Sequence, residues 1–220
     1  MKLNNYIDHT LLKATANKQD IDTLIQEAIT HHFYAVCVNS YWVPYVSDQL
    51  KECNVQLASV IGFPLGAMST AAKVFESKNA VENGADEIDM VINQSHVQNE
   101  NWDELYQEIY SIKSSIGSKL LKVILETCYL TDKQIVKVSE ICMNAGADFI
   151  KTSTGFGTGG ATLEHVKLMK ETVGDHVQIK ASGGIRDFET AMAFINLGVS
   201  RIGTSSGIHI IKGTISDKSY

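Results

Sequence analysis

Short apolar runs that suit β-strands alternate with amphipathic helical stretches along the whole chain. The clearest helix is predicted over residues 21–29, where five apolar positions follow the i, i+3, i+4, i+7, i+8 spacing of one stripe. These positions are Ile21, Leu24, Ile25, Ala28 and Ile29. Between such stretches, runs rich in β-branched residues predict eight strands. The strands are expected at residues 6–10, 34–39, 56–63, 87–93, 120–127, 149–154, 177–182 and 201–204.

The predicted helix boundaries follow a repeated plan. A glycine closes each of three helices, and a strand begins within about three residues, as is typical of short loops between helix and strand. The sequence TDKQ at 131–134 has the residues of a capping box, and NWDE at 101–104 predicts a helix with Asn101 as its cap. The repetition indicates stacked β/α units. The three closing glycines are Gly84, Gly146 and Gly198.

Eight strands that alternate with helices favour an α/β fold, the (β/α)8 TIM barrel, as a single domain over residues 1–212. Residues 213–220 are expected to form a polar C-terminal tail. The main alternative is an open, doubly wound sheet, which the GxGxxG pattern of Gly155, Gly157 and Gly160 would support as a dinucleotide site. Against that site, Lys180 stands about where an acidic residue should bind the ribose.

The composition is that of an ordinary globular protein, with 44% hydrophobic and 20% charged residues and a formal net charge of −6 over 220 residues. No block of Lys and Arg stands out, so no nucleic-acid partner is expected. The chain shows neither a signal peptide nor an apolar run of membrane-spanning length, so a cytoplasmic protein is expected. Cysteines without CxxC spacing and histidines without HxH or HExxH spacing predict reduced thiols and no metal site.

Several predicted strands are interrupted by charge, although parallel strands covered by helices usually read as continuous apolar runs. In a barrel, the inward face near the C-terminal mouth can accommodate charged groups. The structural alternative is a set of buried ion pairs, for example Lys122 with Glu126 or with an aspartate. Charges spread over five strands favour a functional site. The five residues are Asp8, Asp89, Lys122, Lys151 and Lys180.

Two lysines on neighbouring strands suggest carbonyl chemistry. Burial and like-charge repulsion lower the pKa of one of them, which makes a neutral amine available near neutral pH. A neutral lysine amine attacks a carbonyl carbon to form a Schiff base, which then accepts electrons when a C–C bond breaks. A nearby aspartate such as Asp89 can transfer protons, and no metal or other cofactor is needed. These considerations do not distinguish Lys151 from Lys180 as the lysine that forms the imine.

Two segments with glycine and serine predict a phosphate site. ASGGIR at 181–186 follows the seventh predicted strand, and GTSSG at 203–207 follows the eighth. In TIM barrels the loops after these strands frequently bind phosphate, because backbone N–H groups and hydroxyls can surround the anion. The alternative for either loop is an ordinary turn. The loop GFPLGA at 62–67 is expected at the same mouth, either as substrate enclosure or as a plain turn.

Motifs over nearly the whole chain resemble the deoxyribose-phosphate aldolase family. The resemblance implies a class I aldolase that reversibly cleaves 2-deoxy-D-ribose 5-phosphate through a lysine Schiff base, without a cofactor, in deoxyribose catabolism. The motifs are DHTLLK at 8–13, VCVNS at 36–40, VIGFPLG at 60–66, DEIDMVIN at 86–93, KVILET at 122–127, KTSTGF at 151–156, KASGGIR at 180–186 and RIGTSS at 201–206.

The same resemblance implies roles for individual residues. Lys151 falls on the Schiff-base lysine, Asp89 on the proton-transfer aspartate and Lys180 on the second active-site lysine. Supporting positions around the site match Asp8, Thr10, Cys37 and Lys122. Substrate and phosphate contacts fall on Thr154, Gly155, Gly183, Gly184, Ser205 and Ser206.

Two positions and two other functions stay open. Phe156 departs from family members that carry a charged residue there, and Tyr220 is a candidate participant in enamine protonation. The expected partner is a small phosphorylated sugar, and the sequence leaves open a homo-oligomer such as a dimer. One other function is a different barrel lyase or isomerase acting on another phosphosugar. The second is a non-catalytic phosphosugar-binding protein, which would form no trappable imine.

Overall fold

The computed structural model describes residues 2–214, so Tyr220 and all but the first two residues of the predicted tail lie outside the described residues. Within that range the chain alternates eight strands with helices. The strands are β1 (Ile7–Leu11), β2 (Ala35–Asn39), β3 (Gln56–Ile61), β4 (Glu87–Val91), β5 (Leu120–Ile124), β6 (Phe149–Lys151), β7 (Gln178–Ser182) and β8 (Arg201–Thr204). The α-helices are α1 (Lys18–His31), α2 (Val43–Leu50), α3 (Thr70–Glu82), α4 (Gln94–Gln98), α5 (Trp102–Ser115), α6 (Asp132–Asn144), α7 (Leu163–Val173), α8 (Phe188–Asn196) and α9 (Gly207–Lys212).

The eight strands form a closed, parallel barrel in the order of the sequence, with β8 hydrogen-bonded to β1. The predicted (β/α)8 barrel is therefore confirmed, and the open doubly wound sheet is wrong. Register places Asp89 of β4 beside Lys122 of β5, and Lys151 of β6 beside Lys180 of β7. Closure thus brings charged residues from distant chain segments onto neighbouring strands of one barrel.

Four strands end two or three residues earlier than the sequence predicts. β3 ends at Ile61, β4 at Val91, β5 at Ile124 and β6 at Lys151, because the residues that follow turn into loops at the barrel mouth. Glu126 shows this most clearly, since it takes a left-handed backbone conformation with φ of 53°. Lys151 is consequently the last residue of its strand, and the hydroxyl residues 152–154 belong to a mouth loop.

The helix boundaries agree closely with the sequence patterns. Thr131 and Gln134 form the predicted reciprocal capping box at the start of α6. Asn101 does occupy the cap position of α5, but its side chain makes no capping hydrogen bond there, so that part of the prediction is wrong. All three predicted closing glycines have positive φ, a conformation that glycine adopts at little cost.

The apolar core has two parts. The larger part lies between the outer faces of the strands and the helices, and includes Val36 and Val38 of β2 and Ile88 and Met90 of β4. Residues that alternate with these along the strands form a small separate cluster of Leu12, Cys37, Ala58 and Val60. The rest of the inward-facing positions are largely charged, which makes the barrel interior unusual for a packed core.

A buried ion pair that the sequence patterns did not reveal joins α3 to α5. Lys73 Nζ donates hydrogen bonds to Glu108 Oε1 at 2.7 Å and to the carbonyl oxygen of Val91 at 2.8 Å. Glu108 Oε2 in turn accepts a hydrogen bond from the backbone N–H of Asn93 at 3.0 Å. Burial lowers the pKa of Lys73, and Glu108 opposes that shift. The pair therefore fixes the C-terminal end of β4, two residues beyond Asp89.

We expect Lys73→Ala to lower the free energy of unfolding by about 3–5 kcal/mol, because it leaves the Glu108 carboxylate buried without its cation. Urea unfolding at pH 7 measures the effect. Lys167→Ala is the matched control, since the Lys167–Glu171 pair is exposed and its removal should barely move the midpoint. Equal midpoints for the two variants would contradict a structural role for the buried pair.

Candidate active site

Seven charged side chains converge inside the barrel, and we refer to them as the interior charge cluster. They come from β1, β4, β5, β6, β7 and β8, and none is more than 5% exposed. Such burial is tolerated only where each charge is paired, because an isolated ion is costly to remove from water. The members are Asp8, Glu87, Asp89, Lys122, Lys151, Lys180 and Arg201.

Asp89 is the centre of the cluster. Its Oδ1 accepts a hydrogen bond from Lys122 Nζ at 2.6 Å, and its Oδ2 accepts from both Lys151 Nζ and Lys180 Nζ at 2.9 Å. Burial by itself would raise the pKa of Asp89, but the three ammonium groups hold it well below its ordinary value. Asp89 is therefore a carboxylate at neutral pH, and the two lysines that were predicted to act together share one of its oxygen atoms.

Lys180 is held between two carboxylates. Besides Asp89, its Nζ donates to Asp8 Oδ2 at 2.5 Å. Burial acts to lower the pKa of Lys180, but Asp8 and Asp89 raise it well above its ordinary value. Gly203 on β8 provides room for this side chain, since a Cβ there would lie 2.9 Å from Lys180 Cε. Lys180 is thus a stable cation.

Lys151 has the opposite protonation tendency. Its Nζ bonds to one member of the cluster, Asp89, and that carboxylate is already shared with two other lysines. Burial lowers the pKa of Lys151 and the neighbouring positive charge of Lys180 adds to the effect, while Asp89 partly opposes both. The geometry therefore separates two lysines that the sequence patterns left equal, and makes Lys151 the one that loses its proton more readily.

The floor of the barrel holds an ion pair that was not predicted. Arg201 donates to Glu87 at 3.0 Å and to Asp8 at 2.9 Å, and its guanidinium lies 3.3 Å from the centre of the Tyr34 ring. Glu87 also pairs with Lys122 at 2.5 Å. Arg201 and Glu87 are the first residues of β8 and β4, and charge at a strand start was the signal that could have found them.

The suggested pairing of Lys122 with Glu126 is wrong. Lys122 bonds instead to Asp89 and Glu87, and its pKa is raised because these carboxylates outweigh the effect of burial, which lowers it. Glu126 lies past the end of β5 in a left-handed turn, so the period-two alternation of the strand no longer governs its direction. The alternative of an ion pair between Lys122 and an aspartate does occur.

The three remaining supporting positions lie around the same interior. Burial acts to raise the pKa of Asp8, but Lys180 and Arg201 lower it to about 2. The Thr10 hydroxyl donates to the backbone oxygen of Asp8 at 2.9 Å, so Thr10 fixes the strand next to the cluster. Cys37 is fully buried in the small apolar cluster with Leu12, Ala58 and Val60, and burial raises the pKa of its thiol. It is therefore a neutral thiol near the lysines.

Glu126 organises the loop that follows Lys151. It accepts hydrogen bonds from the backbone N–H of Thr154 at 3.2 Å and from the Thr154 hydroxyl. Burial raises the pKa of Glu126 despite these bonds. Gly157 passes so close that a Cβ there would lie 3.0 Å from the Glu126 carboxyl carbon. One reason for glycine in this loop is therefore contact with the buried glutamate.

A second reason is contact between the loops after β6 and β7. A Cβ on Gly160 would lie 2.2 Å from the carbonyl oxygen of Gly183, so the two loops can meet only with glycine there. The helix α7 begins at Leu163, beyond the glycines, with Thr162 as its cap. The run is thus a loop, and it lacks the strand–glycine–helix junction of a dinucleotide site.

The two segments predicted to bind phosphate lie side by side, because Ser182 of β7 is in register with Gly203 of β8. Gly183 and Gly184 have φ of 87° and 81°, conformations that other residues rarely adopt. Thr204 links the segments, since its hydroxyl donates to the carbonyl oxygen of Ile185 at 2.8 Å. Ser205 is exposed, whereas Ser206 is buried at the start of α9.

The loop at 62–67 also lies at the mouth, and it contacts the loop after β6. The rings of Phe63 and Phe156 meet edge to face with centroids 5.3 Å apart. Phe156 is half-exposed and Leu65 is largely exposed. The position that departs from the family pattern therefore contributes to an apolar section of the rim.

The chain has relatives that match it over nearly its whole length. The family described as DeoC/LacD family aldolase matches residues 3–213. The chain is 55% identical to deoxyribose-phosphate aldolase 1 of Vibrio vulnificus over 211 residues, which cover 96% of each protein.

Two solved structures are also similar. One, described as QR15, an aldolase, has a TM-score of 0.93 and 44% identity, and the match covers 96% of this chain and 95% of that one. The other is the deoxyribose phosphate aldolase of Aeropyrum pernix, described as a unique tetrameric structure. It has a TM-score of 0.88 and 32% identity over 96% of this chain and 89% of that chain.

We expect Glu126→Ala to lower the free energy of unfolding by about 1–3 kcal/mol, because it leaves the buried N–H and hydroxyl of Thr154 without their acceptor. Glu126→Gln retains an acceptor oxygen and should lose less. Guanidinium unfolding of the two variants measures the difference, and limited proteolysis should cut the loop at 155–160 faster in Glu126→Ala. If both variants unfold at the same midpoint, the carboxyl does not organise this loop.

Proposed function

The chain belongs to the DeoC/LacD family of aldolases, and we propose from this that it reversibly cleaves 2-deoxy-D-ribose 5-phosphate to D-glyceraldehyde 3-phosphate and acetaldehyde. The reaction proceeds through a Schiff base on Lys151. The observation that carries the assignment is the unequal pairing of the two lysines. Lys180 bonds to two carboxylates and stays charged, whereas Lys151 bonds to one shared carboxylate and its pKa is lowered by burial and by Lys180.

In the first stage, the neutral amine of Lys151 attacks C1 of the open-chain sugar. A proton moves from nitrogen to oxygen to give the carbinolamine, whose hydroxyl takes up a second proton through the Asp89–Lys180 pair and leaves as water, so that a protonated imine remains. The imine places a positive charge where the amine was neutral. Asp89, whose Oδ2 lies 2.9 Å from Lys151 Nζ, stabilises that charge as it forms.

In the second stage, the C3 hydroxyl loses its proton, the C2–C3 bond breaks and its electrons move into the imine to give an enamine. Glyceraldehyde 3-phosphate leaves, and protonation and hydrolysis of the enamine release acetaldehyde and restore the amine. Asp89 alone is a weak base, because three ammonium groups lower its pKa after burial has acted to raise it. We therefore assign proton transfer to the hydrogen-bonded pair of Asp89 and Lys180, with an ordered water.

The substrate phosphate is assigned to the loops after β7 and β8. Gly183 and Gly184 can turn backbone N–H groups toward an anion, and Ser205 and Ser206 supply hydroxyls. Thr154 and Gly155 would contact the sugar from the loop after β6. The support is the position of all six residues in loops at the C-terminal ends of neighbouring strands, where TIM barrels bind ligands.

The proposal extends to the compartment and the assembly of the enzyme. Among residues 2–214, no helix combines the length and the apolar character that crossing a bilayer requires. The four cysteines are free thiols, which agrees with a reducing compartment, and we place the enzyme in the cytoplasm. We also propose a homo-oligomer, because a related aldolase is described as tetrameric.

We expect acetaldehyde with sodium cyanoborohydride to leave an N-ethyl group on Lys151, which peptide mass mapping would locate. Lys151→Arg should abolish both the adduct and cleavage of 2-deoxy-D-ribose 5-phosphate, because a guanidinium does not act as an amine nucleophile. An adduct on Lys180 would overturn the assignment. A protein that binds the sugar phosphate but forms no adduct would instead be a binding protein.

We expect Lys180→Met to slow turnover and to move the acid limb of the pH–rate profile to higher pH. Loss of the neighbouring cation makes Lys151 hold its proton more tightly, so a higher pH is needed to obtain the neutral amine. The measurement is kcat/KM against pH. If turnover falls while the pH–rate profile stays unchanged, Lys180 acts only in proton transfer and does not lower the pKa of Lys151.

A further inference from the structure

We propose that Arg201 and Glu87, the ion pair at the barrel floor, are positioning residues that set how tightly Lys151 holds its proton, through the total charge of the interior charge cluster. The proposal rests on the function proposed above, in which the neutral amine of Lys151 is the nucleophile. Neither residue is bonded to Lys151 or lies in the mouth loops assigned to the substrate. Their effect would be transmitted by charge alone.

Two continuous paths of ionic contacts connect the floor to Lys151. On one path, Arg201 bonds to Asp8 at 2.9 Å and Asp8 bonds to Lys180 at 2.5 Å. On the other, Glu87 pairs with Lys122 at 2.5 Å. Both Lys122 and Lys180 then bond to Asp89, the partner of Lys151. A change of charge at the floor is therefore not isolated from the nucleophile.

The cluster is electrically balanced only when Lys151 is neutral. Asp8, Glu87 and Asp89 supply its negative charges, and each is bonded to at least two cations. Lys122, Lys180 and Arg201 supply an equal number of positive charges. A proton on Lys151 makes the interior positive, and burial leaves little water or salt to screen that excess. The balance itself therefore favours loss of the proton from Lys151.

Two other titratable groups act on Lys151 from outside the cluster. Cys37 of β2 acts on Lys151 electrostatically, but burial raises the pKa of its thiol, which leaves it neutral. Glu126, in the loop after β5, faces Lys151 from the mouth and bonds to Thr154 rather than to the cluster. Both groups stay in place when the floor is altered, so they contribute equally to every variant.

The test is the pH dependence of imine trapping in the whole protein. Acetaldehyde and sodium cyanoborohydride are supplied across a pH series, and the initial rate of N-ethylation of Lys151 is read by mass spectrometry. Arg201→Met removes a positive charge and should move the midpoint to higher pH. Glu87→Gln removes a negative charge and should move it to lower pH. Each shift should be about one pH unit, the effect of a unit charge roughly 10 Å away at an effective dielectric constant of about 20.

The double variant Arg201→Met/Glu87→Gln restores the balance of charge and should return the midpoint close to the original pH. Arg201→Lys keeps the charge but loses the planar guanidinium, with its paired N–H donors and its stacking on Tyr34. It should therefore leave the midpoint nearly unchanged. Lys113→Met is the matched control outside the barrel. It removes the same charge from a partly exposed pair with Asp148 and should have no effect on the midpoint.

Opposite shifts in the single variants, cancelled in the double variant, support the proposal. Unshifted midpoints, or shifts in the same direction, would overturn it, because the lost charge would then be compensated at another group. If Arg201→Met does not fold, as judged by circular dichroism, Glu87→Gln and Arg201→Lys decide the outcome. Absence of trapping on Lys151 in the unmodified protein at every pH would instead refute the proposed function, so the two failures are distinguishable.

Discussion

The structure depends on one buried carboxylate, Asp89, which three ammonium groups contact inside a closed barrel. An aspartate at this depth would ordinarily take up a proton, and a lysine at this depth would ordinarily lose one. The neighbouring charges oppose both tendencies, because the ammonium groups favour the ionised aspartate and the carboxylates favour the protonated lysines. The interior is therefore stable as a set, whereas removal of one member leaves its partners buried without compensation.

The same constraint explains how two identical side chains acquire different chemistry. Lys180 has two carboxylates and Lys151 has one, which it shares. The two lysines are in register, so the difference arises from their position around the barrel. Lys180 on β7 is one strand nearer than Lys151 on β6 to β1, which carries Asp8. Reactivity is thus decided by which strand carries the lysine.

The sequence predicts the scaffold well because its signals are local. Strand and helix periodicity, the capping box at Thr131 and the closing glycines each depend on residues a few positions apart. Pairings across the barrel depend on register between strands that are distant in the chain, and no local pattern contains it. For that reason sequence patterns leave both Glu126 and an aspartate open as the partner of Lys122, and they do not predict the Arg201–Glu87 and Lys73–Glu108 pairs. The resemblance to aldolases, rather than physical reasoning from the sequence, selected Lys151 over Lys180.

Barrel closure and the charge cluster stabilise one another. Asp8 lies on β1 and Arg201 on β8, the two strands that complete the cylinder, and Arg201 also reaches across to Glu87 on β4. The ionic contacts therefore join the first, middle and last parts of the chain at the floor. Their attraction is strong only when the closed barrel excludes water, and the closed barrel tolerates these charges only when they are paired. A charged interior of this kind specifies a single register more strictly than an apolar one would, because a shift of one residue turns each charge toward the helices.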